Sequence, residues 1–576
     1  MHRPARVGGR PPVRPGAGQR GARLPARTLG VLMTAPWVSS NGVEIRDLVP
    51  ARLRRQWCDE GRCPDRDLYS SFSEHVRRHP GRPAVIDARG TLDYAGLDTR
   101  VRGIAAAFAA AGLGERDIIG IRLPNGRDMV ATELAVAAIG AVALPYPAGR
   151  GTRDTLSLLG RSRAGAAVFA DPADVASCGE LPDLRAVFTF GRPVAGARSL
   201  GLLPADARWR PGRRDADSPA RILVSSGSEA EPKMVAYSHN AMVGGRANYV
   251  RALHGGTELV RDLVLVPLAS SFGSCGTSVT IAALGGTLVL VDAFDPGTAL
   301  RAITEHRPTH VFGVPTMLRR LADHPPAGGE DLSSLRALVS SGAALPEATA
   351  QACRDRFGRE MIAVYGSSDG VNCHTARTGL APETGTGLPD PAVADIRITD
   401  ERGEPVAAGE PGEICALGPM TPMCYVASPE LDTRYRTPGG WVRTGDRGFL
   451  DGRGRLHVLG RIKQVVVRGG YNISPAEVER ELGAHPAIAD AVCVAVADPD
   501  LGERMCVCVT QPAGVPPVTL DEITTFLERE RGLERRKLPE LLLAVDEMPL
   551  GPTGKICRRT LSEMATEQRR TSGAAV

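Results

Sequence analysis

With 576 residues the chain is too long for one ordinary core, so a large region and at least one further domain are expected. An apolar fraction of 43% and a charged fraction of 23% belong to an ordinary globular protein. The net charge of +5 is concentrated: residues 1–30 hold seven arginines and no acid, which leaves the remainder near −2 and excludes a basic groove for nucleic acid.

Residues 1–33 are rich in Pro, Gly and Arg and show no apolar periodicity, so they are read as a disordered or non-native extension with Met33 a plausible start. The stretch lacks the apolar region of a signal peptide and the serines of a mitochondrial presequence. From about Asp67 to Asp171, helical patterns (Leu92–Ala111, Gly126–Ile139) alternate with short apolar runs at Asp117–Ile121 and Ala167–Ala170. The most apolar segment, MVATELAVAAIGAVALPYP from Met129, contains Glu133 and reads as a buried helix and strand, with no membrane insertion.

From Arg221 the strands are clearer: ILVSS, DLVLVPLA, GTLVLVD, HVFGVP, LRALVSS and MIAVYGSS, several separated by helical text such as Thr298–His306 and Glu347–Phe357. Such alternation predicts a largely parallel, helix-covered sheet with ligands at the strands' carboxyl ends, where Ser, Gly and Pro collect. After Gly387, alternating text with turn residues predicts a small antiparallel region. A second break near Gly460–Lys463 precedes a compact α+β unit with helices at Ser474–Leu482 and Leu520–Arg531, and strands around Ala491–Ala497 and Met505–Gln511. Residues 34–460 and 461–576 are thus expected to form a core and a smaller terminal domain. Twelve cysteines without zinc-type spacing read as reduced, structural and cytoplasmic; Cys506 and Cys508 suit one face of a strand.

Only four lysines, Lys233, Lys463, Lys537 and Lys555, stand among 66 arginines, and three of them sit in glycine-marked sequences. An ammonium and a guanidinium are not interchangeable at a reacting phosphate, so each neighbourhood is informative. In SSGSEAEPKMVAYSH (225–239), Pro232 precedes Lys233 and Met234 follows it, which excludes a Walker loop. The segment nevertheless offers the hydroxyls of Ser225, Ser226 and Ser228, the flexible Gly227 and one ammonium, suited to holding a polyphosphate tail.

Three further pieces complete the set. In VYGSSDG (364–370), Tyr365 offers a flat face for a purine and Asp369 a carboxylate for magnesium. In WVRTGDRGFLDGRGRLHVLGRIKQVVVRGGYNISPAEVE (441–479), Asp446 suits two ribose hydroxyls, Arg461 adds a donor, and Gly469 and Gly470 allow close approach. Ser474 and Pro475 open a helix with Glu477 at the offset for a capping box. Last, PLGPTGKICR holds Lys555 on a glycine-rich turn near the end of the chain. Each piece alone suits a turn or a solvated surface; the four in order do not.

In order and spacing, the four pieces resemble the adenylate-forming enzymes: acyl- and aryl-CoA synthetases, aryl acid–AMP ligases and peptide synthetase adenylation domains. The resemblance runs from about Leu68 to Leu561. It implies an α/β fold: a large N-terminal domain of helix-covered β-sheets with a β-barrel-like subregion, and a small mobile α+β C-terminal domain. It also implies use of ATP and Mg2+, a small carboxylic acid substrate, and CoA or a carrier protein's phosphopantetheine as thiol acceptor. By the same resemblance Ser225–Lys233 cover the departing pyrophosphate, and Gly342, Ala343, Gly366, Ser367 and Ser368 join Tyr365 around the nucleotide. Asp369 takes the metal, Asp446 and Arg461 the ribose, and Lys463 the hinge. Lys555 bridges the attacking carboxylate and the α-phosphate, Gly469 and Gly470 flank the thiol, and Ser270, Ser271, Phe272, Phe312 and Gly313 line the acid pocket.

There are departures. Ser228–Glu229–Ala230 stands where Thr–Thr–Gly is usual, Asp369 replaces a Glu, and Gln464 sits where Asp often follows the hinge. The text VYGSSDGVNCHTARTG and SHNAM resembles aryl acid–AMP ligases, but Ser270 and Ser271 stand where that group has His–Asn. RGGYNISP reads more like CoA ligases. A CoA-dependent acyl or aryl ligase is therefore expected, with carrier-protein loading as the alternative and a nucleotide-binding pseudoenzyme as a remote one.

Overall fold

The computed structural model describes residues 35–571, apart from 172, 177, 180, 191–193, 202–208, 226–231, 257–258, 327, 368–372, 377–385, 470 and 513. Residues 1–33, read above as an extension, lie outside them. Met33–Val576 form one compact unit.

Two large sheets dominate. The seven-stranded sheet runs Lys233–Ser238, Pro219–Ser225, Val142–Pro145, Ile118–Arg122, Ala166–Phe169, Ala186–Thr189 and Arg198–Ser199, parallel except for its first pair. The eight-stranded sheet runs Cys373–Ala376, Glu360–Tyr365, Ala337–Ser341, His310–Gly313, Arg261–Val264, Thr287–Leu290, Pro83–Asp87 and Gly90–Asp93, with only its two edge strands antiparallel. The helix Arg127–Ala138 belongs to the same buried cluster as strands of both sheets, which is why residues Met129 to Ala138 are all buried and no polar face is needed. Its one acid, Glu133, is met by Arg221 from the strand Pro219–Ser225, both side chains 4% exposed.

The expected strand DLVLVPLA stops at Val264. Pro267 cannot donate to a ladder, and the chain turns there into the loop that approaches the site. The antiparallel region is a four-stranded sheet in the order Asp395–Thr399, Gly412–Leu417, Val442–Leu450, Leu456–Arg461. Its two outer strands do not pair with each other, so the expected barrel-like closure is not present among the described residues.

The C-terminal part carries its own sheet, in which Gly502–Thr510 pairs with Val466–Arg468, Asp490–Asp498 and Leu541–Ala544. Two apolar clusters drawn from residues 466–565 flank it, with Cys506 and Cys508 buried on one face as their spacing predicts. The capping box expected at Ser474 does not form: Ser474 Oγ leans toward Leu459 O at 3.5 Å, and Glu477 accepts from Lys537 Nζ at 2.7 Å. A true box closes the helix Leu520–Thr525 instead, through Thr519 and Glu522. That helix continues as a π-helical turn, Phe526–Glu530.

At the amino ends of two strands, far along the chain direction from the sheet's carboxyl edge, His254, Asp262 and His310 form a buried group. His254 Nδ1 lies 2.7 Å from Val250 O and Nε2 lies 2.8 Å from Asp262 Oδ1, so the ring is held between two acceptors. Burial alone would pull His254 down, but Asp262 outweighs it and leaves the pKa raised. No helix among the described residues is long and apolar enough to cross a membrane.

Candidate active site

The strands Pro219–Ser225, Ala337–Ser341 and Glu360–Tyr365 end close to the residues predicted to bind nucleotide. Ser225 stands opposite Lys233 in the hairpin register, so these two close the ends of the serine-rich loop. Ser226, Gly227 and Ser228 lie outside the described residues. The hydroxyls of Ser225, Ser340 and Ser367 are buried and have no hydrogen-bond partner among the described residues. Buried hydroxyls are ordinarily satisfied, and three orphans at strand ends fit a site built to receive phosphate oxygens. Gly366 directly follows Tyr365, while Ser368 and Asp369 lie outside the described residues, the candidate metal ligand among them.

A second group gathers around Asp446, which is 5% exposed. Tyr365 Oη donates to Asp446 Oδ2 at 2.6 Å, and Arg461 Nε donates to Oδ1 at 2.9 Å. The antiparallel register sets this: Asp446 faces Arg461 across neighbouring strands. One carboxylate thus fixes both the predicted adenine platform and the predicted ribose donor. Asp446→Ala is expected to weaken ATP binding by roughly ten- to a hundredfold, since a hydrogen bond to a charged group contributes about 1.5–3 kcal/mol. Equilibrium titration with ATP checks it, and unchanged affinity would remove Asp446 from the site.

The lysines are placed by aromatic rings. Lys233 is 6% exposed, with Nζ 4.5 Å from the Tyr435 ring centroid and 5.9 Å from that of Tyr425. Lys463 Nζ stands 5.9 Å from the same Tyr435 ring. Ring faces carry partial negative charge and hold ammonium groups in this way, so Tyr435 joins the lysine that ends the serine-rich loop to the lysine after the strand Leu456–Arg461. Tyr425 N donates to Asp432 Oδ1 at 2.9 Å, and burial pushes that carboxyl up to about 6. A folded-state pKa above the unfolded value means stability that is present below pH ~4 and lost as pH rises through 6. Asp432→Asn, which keeps the acceptor, is therefore expected to stabilise the protein by about 1–2 kcal/mol at pH 7.5 and not at pH 4. Urea unfolding at the two pH values checks this, and an equal effect at both would remove the titration from the account.

Lys555 reaches the core. A Cβ placed on Gly342, here at φ +94°, would lie 2.7 Å from Lys555 Cε and 3.3 Å from its Nζ, so the lysine side chain occupies the space that the glycine leaves open. Gly342 follows the strand Ala337–Ser341 directly, and Ala343 beside it is exposed. The turn carrying Lys555 is anchored on the core: Thr316 Oγ1 donates to Gly554 O at 3.4 Å, Pro552 lies beside Gly149, and Arg320 pairs with Glu547. Gly469, by contrast, sits on a hairpin whose N–H donates to Leu501 O at 2.8 Å, within the C-terminal part. The structure does not bring it to Lys555, and Gly470 lies outside the described residues.

The expected acid pocket is a loop braced from below. Ser270 Oγ accepts from Gly273 N at 3.0 Å, and Phe272 packs at 5.7 Å on Phe312, with Gly313 next in the strand. Arg221 Nη2 donates to Leu268 O at 2.8 Å and Arg246 Nη1 to Ser271 O at 2.8 Å. π-helical segments flank the loop on both sides, Ala241–Gly245 leading into Arg246 and Gly276–Ala283 following Cys275. Such segments are uncommon and gather at functional sites. Sequence reasoning missed Tyr425, Tyr435 and Arg246: Arg246 is one arginine among 66, the two tyrosines stand in no motif, and their meaning comes only from what they touch.

Residues 72–426 match the model of the AMP-binding enzyme family, and residues 477–555 match that of the AMP-binding enzyme C-terminal domain. The chain is similar to a feruloyl-CoA synthase of Amycolatopsis, 31% identical over 84% of this chain and 96% of that protein. It is likewise similar to the salicyl-AMP ligase / salicyl-S-ArCP synthetase of Mycobacterium tuberculosis, 30% identical over 89% and 93%. Among solved structures, the amide bond synthetase McbA of Marinactinospora thermotolerans superposes with a TM-score of 0.75 at 28% identity, covering 86% of this chain and 99% of that one. The chain belongs to the AMP-binding enzyme family.

Proposed function

We propose that the protein is an ATP-dependent, AMP-forming carboxylic acid–thiol ligase. The observation that carries this reading is Lys555, the one lysine of the C-terminal turn, lodged over Gly342 at the carboxyl edge of the parallel sheet. In the first step an acid oxygen bonds to the α-phosphorus as the bond to the β-phosphate bridge breaks, giving acyl-AMP and pyrophosphate. Two anions must meet there, and an ammonium fixed between them offsets their repulsion and the charge that builds up. In the second step a thiol sulfur bonds to the acyl carbon, its proton is lost and AMP departs.

In this reading Ser225 and Lys233, with Ser226, Gly227 and Ser228 between them, hold the departing pyrophosphate. Tyr365, with Gly366, Ser367 and Ser368, faces the adenine, while Asp446 and Arg461 hold the ribose. Mg2+ entering with ATP would screen the phosphate charge, and Asp369 is the residue assigned to it. Residues 34–460 act as the core and 461–576 as a lid that turns about Lys463, withdrawing Lys555 and presenting Gly469 and Gly470 to the thiol. The closed seat of Lys555 supports assigning the structure to the first of these steps.

CoA is the acceptor favoured by the RGGYNISP text. A carrier protein's phosphopantetheine arm is the second reading, supported by the likeness to a salicyl-S-ArCP synthetase. The test is acid-dependent exchange of labelled pyrophosphate into ATP across aryl, heteroaryl, cinnamic, aliphatic and dicarboxylic acids, followed by transfer of the acyl group to CoA or to a holo carrier protein. Exchange with no acid, despite ATP binding, would overturn the ligase reading.

A further inference from the structure

Arg246 is fully buried, and a guanidinium keeps its charge at any physiological pH. Its Nη1 donates to Ser271 O at 2.8 Å, its Nη2 makes a long 3.4 Å contact with Ser271 Oγ, and its Nε has no acceptor among the described residues. The Tyr237 ring lies 5.2 Å from its carbon. Among the described residues no carboxylate pairs with it.

Every other buried arginine among the described residues has a carboxylate acting on it: Arg54, Arg150, Arg221 and Arg436. Arg54, 3% exposed, grips Asp47 with Nε at 2.8 Å and Nη2 at 2.9 Å. Arg436 also has Nε and Nη2 without acceptors, but Asp47 and Asp432 act on it electrostatically. Arg246 instead has another cation nearby: burial first, and then the Arg246 charge, pull the pKa of Arg221 down, while Glu133 opposes them. Glu133 is already committed to Arg221. Among the described residues, two guanidiniums share one carboxylate there, which leaves an excess buried positive charge beside the loop Ser270–Phe272. Buried charge is costly unless an anion meets it.

We propose that the acid pocket takes a substrate with a second carboxylate, which the Nε–Nη2 edge of Arg246 grips after displacing the long contact to Ser271 Oγ. Planar two-point recognition of a carboxylate is what a guanidinium supplies and an ammonium does not. The acid is thus a dicarboxylate, activated at one end by the ATP chemistry and read at the other by Arg246. This rests on the ligase reading above and sharpens its substrate class.

The test compares matched acids: benzoate with the three benzenedicarboxylates, and hexanoate with adipate. Pyrophosphate exchange gives kcat/KM for wild type, Arg246→Lys and Arg246→Met, and calorimetry gives binding of each acid without ATP. Wild type is expected to favour one diacid over its monoacid at least tenfold. In Arg246→Met that ratio should fall roughly 30-fold or more, as truncating one partner of a buried charged contact does, with Arg246→Lys recovering part of it. No gain from the second carboxylate in wild type, or equal losses for both members of a pair in the variants, would overturn the proposal and leave Arg246 as a brace for Ser271. The two readings separate cleanly: calorimetric diacid binding that needs Arg246, with no exchange for any acid, sinks the ligase reading alone. Absence of diacid binding in wild type sinks the subsite.

Discussion

Replacing Lys555 by alanine is expected to lower acid-dependent pyrophosphate exchange by about 10²–10³-fold, the usual loss when one preorganised donor to a developing charge is removed. ATP affinity should stay within about threefold, because the nucleotide contacts assigned here belong to Tyr365, Asp446 and Arg461, and uniform binding is a separate quantity from transition-state binding. The seat of Lys555 makes this a chemical rather than a folding test. Its side chain extends over Gly342, and the turn around it is held independently by Thr316, Gly149 and the Arg320–Glu547 pair. Thioester formation from supplied acyl-AMP should survive, since the proposed lid motion withdraws Lys555 for that step. Exchange within about tenfold of wild type would show that the charge is met by another group, with Lys233 the next to examine.

The extent to which the sequence foretold this follows from what kind of signal each residue leaves. Parallel strands, buried on both faces, write continuous apolar runs, so the helix Glu347–Phe357 and the strands around Val224, Val339 and Val364 were legible. The open order of the antiparallel sheet was not, because strand order depends on pairings that local text does not encode. Site residues divide the same way. Lys233, Lys463 and Lys555 stand out because arginine supplies almost all other positive charge. Asp446 and Arg461, which the structure joins in an ion pair, stood out because turn residues flank one and a glycine precedes the other. Tyr435 did not: nothing in PELDTRYR says that two lysines from distant segments share its ring. Ser474 misled, since a capping pattern states what a helix start permits, and Glu477 found a stronger partner in Lys537.

The buried pair beneath the acid loop gives the largest expected change in stability. Glu133→Gln should cost about 3–5 kcal/mol, because it leaves Arg221, 4% exposed, as an uncompensated buried charge. Burial raises the Glu133 pKa and lowers that of Arg221, each against the attraction of its partner, so both groups report that desolvation outweighs the pairing. It follows that the pair's net contribution is small even though breaking it is expensive. The double variant Glu133→Leu with Arg221→Met should accordingly recover most of the loss. Recovery should stop about 1–3 kcal/mol short, because Leu268 O loses the Arg221 Nη2 donor and is left buried without one. Urea unfolding of the three variants measures the cycle. A single-variant loss under about 1 kcal/mol would mean that water already shares the pair, which would also remove the excess charge that gives Arg246 its need for an anion.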